Sequence, residues 1–296
     1  RSAAGPAPDP VLARAQGIGS WATRTAGLVR AVAIVTVVGA ASAIGYGYYQ
    51  QRREQQASAG LAEAVANQKG RIGEAPADDE DAPKVKDPLP VFKTAAERRD
   101  AALQRYREVA KAYPGTGPGI LARLAEASIL LDKGEGNEAL AAYKDVRGSA
   151  LAAADLTVRG RALEGQGFAH ELLAKANPAE LDGALTSFKE LTGLDVAGFR
   201  ELGEYHQARV YEAKGDKDKA KELLKSVHER VTKAGERNVF PFLGQASEDR
   251  LRALDPQALP PKAAMPRGGG PQQYSPEQLQ KLLEMMKQGQ PPGGGQ

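Results

Sequence analysis

The chain has 296 residues, 42% of them hydrophobic and 5% aromatic, with 33 glycines and 19 prolines. Its 40 basic and 37 acidic residues nearly cancel, so the sequence lacks the concentrated basic face that predicts a nucleic-acid partner. Cysteine is absent, which excludes disulfides, thiolate catalysis, cysteine zinc sites and lipid attachment through cysteine. Glycine and proline gather at both ends and in one linker, so we expect a packed core of about 160 residues.

A single transmembrane helix is predicted over residues 28–50, after a soluble N-terminal tail of residues 1–27. Ala31–Gln51 contains no charged residue, and 21 residues at about 1.5 Å each match the hydrocarbon core of a bilayer. Arg30 at the start of this run can snorkel, and aromatic residues on both sides are typical of interfacial anchors: Trp21, Tyr46, Tyr48 and Tyr49.

Two alternatives to a membrane span remain open. A buried helix of a soluble core is usually shorter than this uncharged run. A cleaved signal peptide is indicated by Ala41-Ser42-Ala43, although the charged region before the run is long and the hydrophobicity continues past that point. Arginine and lysine flank both sides of the run in similar numbers, so charge alone does not predict the topology.

Residues 51–93 are predicted to be a helical extension followed by an acidic, proline-rich linker. Leu61 and Val65 have helical spacing, and four prolines follow between residues 76 and 90. The acidic run Asp78–Asp81 lacks the glycine and terminal glutamate of a calcium-binding EF-hand loop, so it indicates a solvated spacer.

Residues 94–254 predict an all-α domain of alanine-rich amphipathic helices with short turns. Thr94 and Glu97 form a capping box at the start of its first helix, which ends at Pro114. The later helices are predicted at 119–132, 136–147, 155–175, 179–192, 199–214, 217–233 and 243–254.

The helices form pairs that resemble one another. Small residues and one larger residue recur at matching offsets in the helix pairs of residues 119–147 and 201–227, and with three extra residues in the pair between them. The turn Lys133-Gly134-Glu135 also recurs as Lys214-Gly215-Asp216. Stacked antiparallel helix hairpins require such spacing, although a non-repeating bundle remains an alternative.

These units resemble the tetratricopeptide repeat, although the early tryptophan is missing and the spacing between units varies. With the predicted span and linker, residues 20–235 resemble the membrane-anchored tetratricopeptide-like family that includes the ancillary subunit of the bacterial SecYEG translocon. The resemblance implies a single-pass protein of the bacterial inner membrane with a periplasmic repeat domain. It also implies that newly exported chains pass from the translocon to periplasmic chaperones, so the expected partners are translocon subunits, exported chains or those chaperones.

Catalytic and cofactor motifs are not evident, so we expect a binding protein without cofactor, metal or small-molecule substrate. His170, His206 and His228 lie on different predicted helices without metal-ligand spacing. Gly115–Gly119 lacks the lysine of a phosphate-binding loop, and Gly165-Gln166-Gly167 falls within a predicted helix.

Stacked hairpins present the first helix of each pair on one curved surface that suits an extended peptide or a partner helix. Half of the positions predicted to face it could equally be packing between hairpins. Aligning the units places eight partner-binding candidates there: Leu121, Leu124, Ser128, Leu163, Gln166, His170, Tyr205 and Arg209.

A disordered tail is predicted over residues 255–296, because proline, glycine and glutamine dominate it. Within it, residues 275–288 have the capping and apolar spacing of a short amphipathic helix. This helix could bind the repeats, bind a partner, or do neither.

Together these features predict a membrane-anchored scaffold for protein interactions, and the resemblance implies a link to protein export and periplasmic chaperones. One alternative is a soluble periplasmic repeat protein that is cleaved near Ala43 and serves envelope or outer-membrane assembly. Another, from a different class, is an envelope hydrolase whose catalytic site has no recognisable motif.

Overall fold

A computed structural model describes residues 10–73, 89–235 and 239–259, with side chains from Ile34 onward. These ranges contain ten helices and one pair of two-residue strands, which confirms the all-α prediction. The acidic run Asp78–Asp81 and the predicted helix 275–288 lie outside the described residues. In chain order the elements are α1 Pro10–Lys69, β1 Arg71–Ile72, β2 Val91–Phe92, α2 Ala95–Ala112, α3 Gly117–Asp132, α4 Gly136–Arg147, α5 Ala150–Ala154, α6 Leu156–Leu173, α7 Glu180–Thr192, α8 Phe199–Ala213, α9 Lys217–Ala234 and α10 Phe242–Leu254.

The ends of the helices follow local capping chemistry. The hydroxyl of Thr94 accepts a hydrogen bond from the backbone N–H of Glu97 at 3.1 Å, as the capping box predicts. Thr116 and Asp155 cap α3 and α6 in the same way. The seven later helices therefore lie within two residues of their predicted limits, whereas the one-turn helix α5 was not predicted.

The helices stack as antiparallel hairpins, in which α1 packs on α2, α3 on α4, α6 on α7 and α8 on α9, and α10 packs on α9. The first helices of successive pairs also touch one another: α1 with α3, α3 with α6, α6 with α8 and α8 with α10. These first helices therefore form one continuous face of the stack.

Helix α1 crosses the domain limits expected from the sequence at residues 27 and 50, because it runs unbroken from Pro10 to Lys69. Its last three turns belong to the first hairpin. Ala57 and Ala64 are fully buried, and Leu61 and Val65 pack against the cluster that contains Val109. The helix thus completes the hairpin of which α2 is the second member.

The apolar part of α1 that precedes this packed region is exposed on all sides. Ile34, Val35, Val37, Val38 and Ile44 each expose more than half of their side-chain surface. Across the part of the chain that the structure describes, no helix has both the length and the apolar character required to cross a membrane.

The strand pair closes the connection between α1 and α2. Strand β1 pairs with β2 in parallel, so that Arg71 lies opposite Val91 and Ile72 opposite Phe92. The Phe92 ring covers Gly70, where a Cβ atom would lie 2.5 Å from a ring carbon. The two ends of the predicted linker are therefore fastened to the domain.

Helix α6 lies at the centre of the stack, and its glycines receive aromatic rings from three neighbouring helices. A Cβ atom on Gly160 would lie 2.0 Å from the ring of Phe199. Cβ atoms on Gly165 and Gly167 would each lie 2.2 Å from the rings of Tyr143 and Phe188, respectively. The absence of side chains at these positions allows α4, α7 and α8 to approach α6 closely.

Candidate functional site

Polar side chains of the first helices, together with Tyr143 of α4, form a set that extends from α3 to α10. The set contains alternating acidic and basic groups, a histidine and two tyrosines. We call it the polar ladder; it consists of Ser128, Tyr143, Glu164, Glu171, Tyr205, His206, Arg209, Glu212 and Arg250.

The centre of the polar ladder joins α6 to α8. The Nε2 atom of His206 lies 3.3 Å from Oε1 of Glu164, and its Nδ1 atom lies 3.1 Å from Nη1 of Arg209. Arg209 also donates from Nη2 to both carboxylate oxygens of Glu171 at 3.1 and 3.2 Å. Because arginine can only donate to Nδ1, the geometry fits a neutral His206 that donates from Nε2 to Glu164.

Burial sets the protonation of this centre. It lowers the pKa of His206; the Glu164 carboxylate opposes this effect and the positive charge of Arg209 adds to it. Burial would raise the pKa of Glu164, but hydrogen bonds and charges from its neighbours outweigh burial and hold that pKa below its usual value. These neighbours are His206, whose Nε2 atom donates to the carboxylate at 3.3 Å, and Arg161, which donates to it at 2.9 Å.

The two ends of the polar ladder contain the tyrosines. Burial raises the pKa of Tyr143 to about 12, although a hydrogen bond with Ser128 acts in the opposite direction. At the other end, Arg250 bonds Tyr205 and donates to Glu212 at 2.5 Å. The bonds of the ladder therefore join α3 to α4 at one end, α6 to α8 at the centre and α8 to α10 at the other end.

The predicted partner-binding residues fall into three groups in the structure. Leu121 and Ser128 are exposed on α3. Leu163 and Gln166 are buried in α6, so they pack between helices and are not available to a partner. The four others are half-buried: Leu124, His170, Tyr205 and Arg209.

Leu163 and Gln166 of α6 are buried, and not on the binding face as predicted, because the true register of α6 differs from the one assumed in the sequence alignment. Gln166 donates from Nε2 to the backbone oxygen of Tyr143, and Gln207 makes the same bond to Phe188 one hairpin later. The equivalent residues of α6 and α8 are thus 41 positions apart, whereas the alignment that placed the eight partner-binding candidates assumes 39, with His170 at the position of Arg209.

With the structural register, the side of α6 that faces the first helices of the neighbouring pairs carries Glu164, Phe168 and Glu171, which are half-buried. His170 instead lies towards α7, where its Nδ1 atom is 2.7 Å from Oε2 of Glu180. Sequence reasoning missed Glu164, Glu171, His206 and Arg250 as members of the face. The recurring glutamine one residue after Gly165 and after His206 was the available signal for the correct register.

The metal and phosphate motifs considered in the sequence are not assembled among the described residues. Among the described residues, no group of three histidine, aspartate or glutamate side chains is arranged to hold a metal ion. Gly165 and Gly167 lie within α6, so they form no phosphate-binding loop. The polar ladder can instead offer hydrogen-bond donors and acceptors, with the Phe168 ring under the Arg209 guanidinium, 5.6 Å away.

The half-buried members of the polar ladder and the exposed residues of α3 therefore form the candidate binding surface, beneath which Tyr143 and His206 are buried. This surface suits a polypeptide segment with both polar and apolar groups. Comparison with protein-family models, curated proteins and solved structures gives no match from which to assign a family or a function.

Proposed function

We propose that the protein is a membrane-tethered scaffold that binds protein partners through the face formed by its first helices. The observation that carries this proposal is the continuity of α1. A single helix contains the exposed apolar residues 34–49 and the buried residues of the first hairpin. An apolar helical segment that continues without a break into the hairpin stack suits a membrane tether, because it would hold the binding domain next to the bilayer.

The membrane part of the proposal rests on the uncharged run Ala31–Gln51 and on its flanking aromatic residues. Described side chains begin at Ile34, three residues inside that run. Tyr46, Tyr48 and Tyr49 are exposed at its end, where aromatic residues anchor membrane helices at the interface.

The partner part of the proposal rests on the polar ladder and on the resemblance to the translocon-associated family. We propose the bacterial inner membrane as the location, with the repeat domain in the periplasm. The proposed partners are translocon subunits, exported chains or periplasmic chaperones. The proposed role is binding without catalysis: the ion pairs within the ladder hold its side chains in place, and their remaining donors and acceptors are left for a partner.

Site-specific photocrosslinking in intact membranes tests the proposal. A photoreactive residue at Leu121 or Ser128 is expected to capture a partner, because both side chains are exposed on the proposed face. Gln104 and Lys189, exposed on the second helices α2 and α7, are the matched controls. Equal capture from all four positions, or capture of cytosolic proteins alone, would contradict the proposal.

Fractionation in the same experiment tests the tether. The intact chain is expected in the membrane pellet after alkaline extraction. A soluble mature chain that begins near Ala43 would instead support the cleaved periplasmic alternative, and N-terminal sequencing distinguishes the two.

A further inference from the structure

The hairpin stack has two ends, and the connection to the apolar segment makes them unequal. We define the tether end as residues 50–57, 103–125 and 141–150, and the far end as the described residues 58–73, 89–102 and 126–140. We propose that the tether end docks on the headgroups of anionic phospholipids. This inference rests on the proposed function, because it requires the apolar segment of α1 to lie in a bilayer.

Chain direction places the tether end beside the apolar segment. Helix α1 runs away from that segment, α2 returns antiparallel to it, and α3 starts again at the same end. A direct contact confirms this order, because Oε1 of Glu54 accepts a hydrogen bond from the backbone N–H of Gly117 at 3.3 Å. Glu54 follows Gln50 by one helical turn, so the α2–α3 turn lies next to the point where the apolar segment ends.

Ion pairs neutralise several cations of the tether end. Arg105 pairs with Glu63, and Arg107 and Arg123 share Glu126. The cations that can attract lipid are therefore those of the tether end that have no such partner. Negative lipids attract basic groups near a membrane surface, and the attraction decays within a Debye length.

Several of these basic groups are free to meet a lipid headgroup. Lys111 and Lys144 are exposed, and neither is ion-paired within the described part of the chain. Arg52 and Arg53 lie over the rings of Tyr48 and Tyr49, with guanidinium carbons 5.9 and 5.8 Å from the ring centres. Each guanidinium can stack on its tyrosine ring and bind a phosphate at the same time, because its N–H donors point outward in the plane of the group.

An apolar cleft opens at the same end. It has a volume of about 350 Å³ and lies between the α2–α3 turn and the start of α5. Arg123, paired with Asp145 at 2.8 Å, lies at its border. Apolar side chains and backbone line most of the remaining wall: Ala110, Pro114, Ile120, Val146 and Ala150.

A cleft with an apolar wall beside free cations matches the chemistry of a phospholipid, which has an anionic headgroup next to its acyl chains. The tyrosines at the end of the apolar segment match the interfacial region of the same bilayer. A purely polar anion such as a nucleic acid would use the cations and leave the apolar cleft unused. The observations therefore favour an anionic lipid surface.

The absence of cysteine allows a direct test with the full chain. Ala112 and Ala96 are exposed at opposite ends of α2, about 24 Å apart at 1.5 Å per residue. Each is replaced by cysteine in a separate variant, labelled with a fluorophore, and reconstituted into vesicles that contain headgroup-quencher lipid. With phosphatidylglycerol as a third of the lipid, we expect strong quenching at position 112 and weak quenching at position 96.

Charge variants separate lipid attraction from simple tethering. Replacing Lys111 and Lys144 by glutamine is expected to reduce quenching at position 112. Each substitution should lower the equilibrium constant for docking by about fivefold. Lys69 and Lys93 are exposed lysines of the far end, and their double glutamine variant is the matched control with unchanged quenching. For the chain with both lysines intact, vesicles of phosphatidylcholine alone should give weak quenching at position 112. This quenching should match that of the Lys111/Lys144 double glutamine variant on vesicles with phosphatidylglycerol.

The outcomes distinguish this inference from the proposed function. A chain that stays out of the vesicles after alkaline extraction would contradict the tether itself. Stable insertion with equal quenching at positions 112 and 96, or with no dependence on phosphatidylglycerol or on Lys111 and Lys144, would overturn the docking surface and leave the tether intact.

Discussion

At the scale of single residues, the glycines of α6 determine how closely its neighbours pack. A Cβ atom on Gly165 would lie 2.2 Å from ring carbons of Tyr143, which is itself buried. Gly165→Ala should therefore destabilise the domain by about 1–3 kcal/mol through overpacking, more than the roughly 1 kcal/mol gained in helix propensity. Calorimetry of the full chain measures the change.

Gly244→Ala in α10 is the matched control for this substitution. Its added Cβ would lie 3.4 Å from the nearest atom, a carbon of Val231, which is an ordinary contact. The control should leave the melting temperature unchanged or raise it. Equal effects of the two substitutions would contradict the role assigned to the Tyr143 ring.

His206 makes stability depend on pH at the same scale. Burial lowers its pKa in the folded state, so the unfolded chain binds the extra proton first as the pH falls. The stability that a neutral His206 supports is complete above about pH 6.5 and declines below it, by at most about 1.4 kcal/mol per pH unit. The decline ends once the pH is below the folded pKa.

His206→Gln keeps a donor towards Glu164 but does not titrate, so its free energy of unfolding should change less between pH 7 and pH 5. Burial raises the pKa of Glu171, which gives a pH dependence of opposite sign: its contribution to stability grows as the pH falls through the raised pKa. This contribution is common to both proteins and cancels in the difference. Parallel denaturant titrations at several pH values provide the measurement; identical pH profiles would show that His206 is not the titrating group.

At the scale of elements, the repeated hairpin turn connects sequence to structure most directly. Gly134 and Gly215 have φ values of +82° and +85°, and each follows a lysine that bonds an aspartate of the preceding second helix. Gly134→Ala and Gly215→Ala should each destabilise the protein by about 1–2 kcal/mol, because a side chain is strained in the left-handed region. Gly148→Ala is the control, since its φ of −77° suits any residue.

Thermal denaturation of these three variants is the measurement, and a comparable loss in Gly148→Ala would show that left-handed strain is not the cause. The turns were predictable from the sequence, because a glycine after the last turn of a helix indicates a left-handed backbone conformation that ends the helix. Both Lys133-Gly134-Glu135 and Lys214-Gly215-Asp216 have this pattern. The face of α6 was not, because its register depends on bonds such as the one from Gln166 to Tyr143 across two helices. Local patterns thus predicted the ends of the helices, whereas the members of the candidate site followed from tertiary contacts.

At the scale of the whole molecule, α1 belongs both to the proposed tether and to the folded domain. The sequence analysis placed residues 51–69 outside the folded domain, because their amphipathic character is weak. The sequence also did not show which helix they pack against. The structure supplies that partner. The hydroxyl of Tyr106 donates to Gln68, Arg105 pairs with Glu63 at 2.7 Å, and Gly60 lies against Val109.

Truncation tests this double role. A chain that begins at Gln50 lacks the apolar segment but keeps the buried residues of α1, so it should fold and melt as the full domain does. A chain that begins at Gly70 should lose at least about 3 kcal/mol, because the apolar surface that α1 covers on Val109 and Tyr106 becomes exposed to water. Equal melting temperatures for the two chains would show that α1 contributes only the tether and that the folded domain starts at α2.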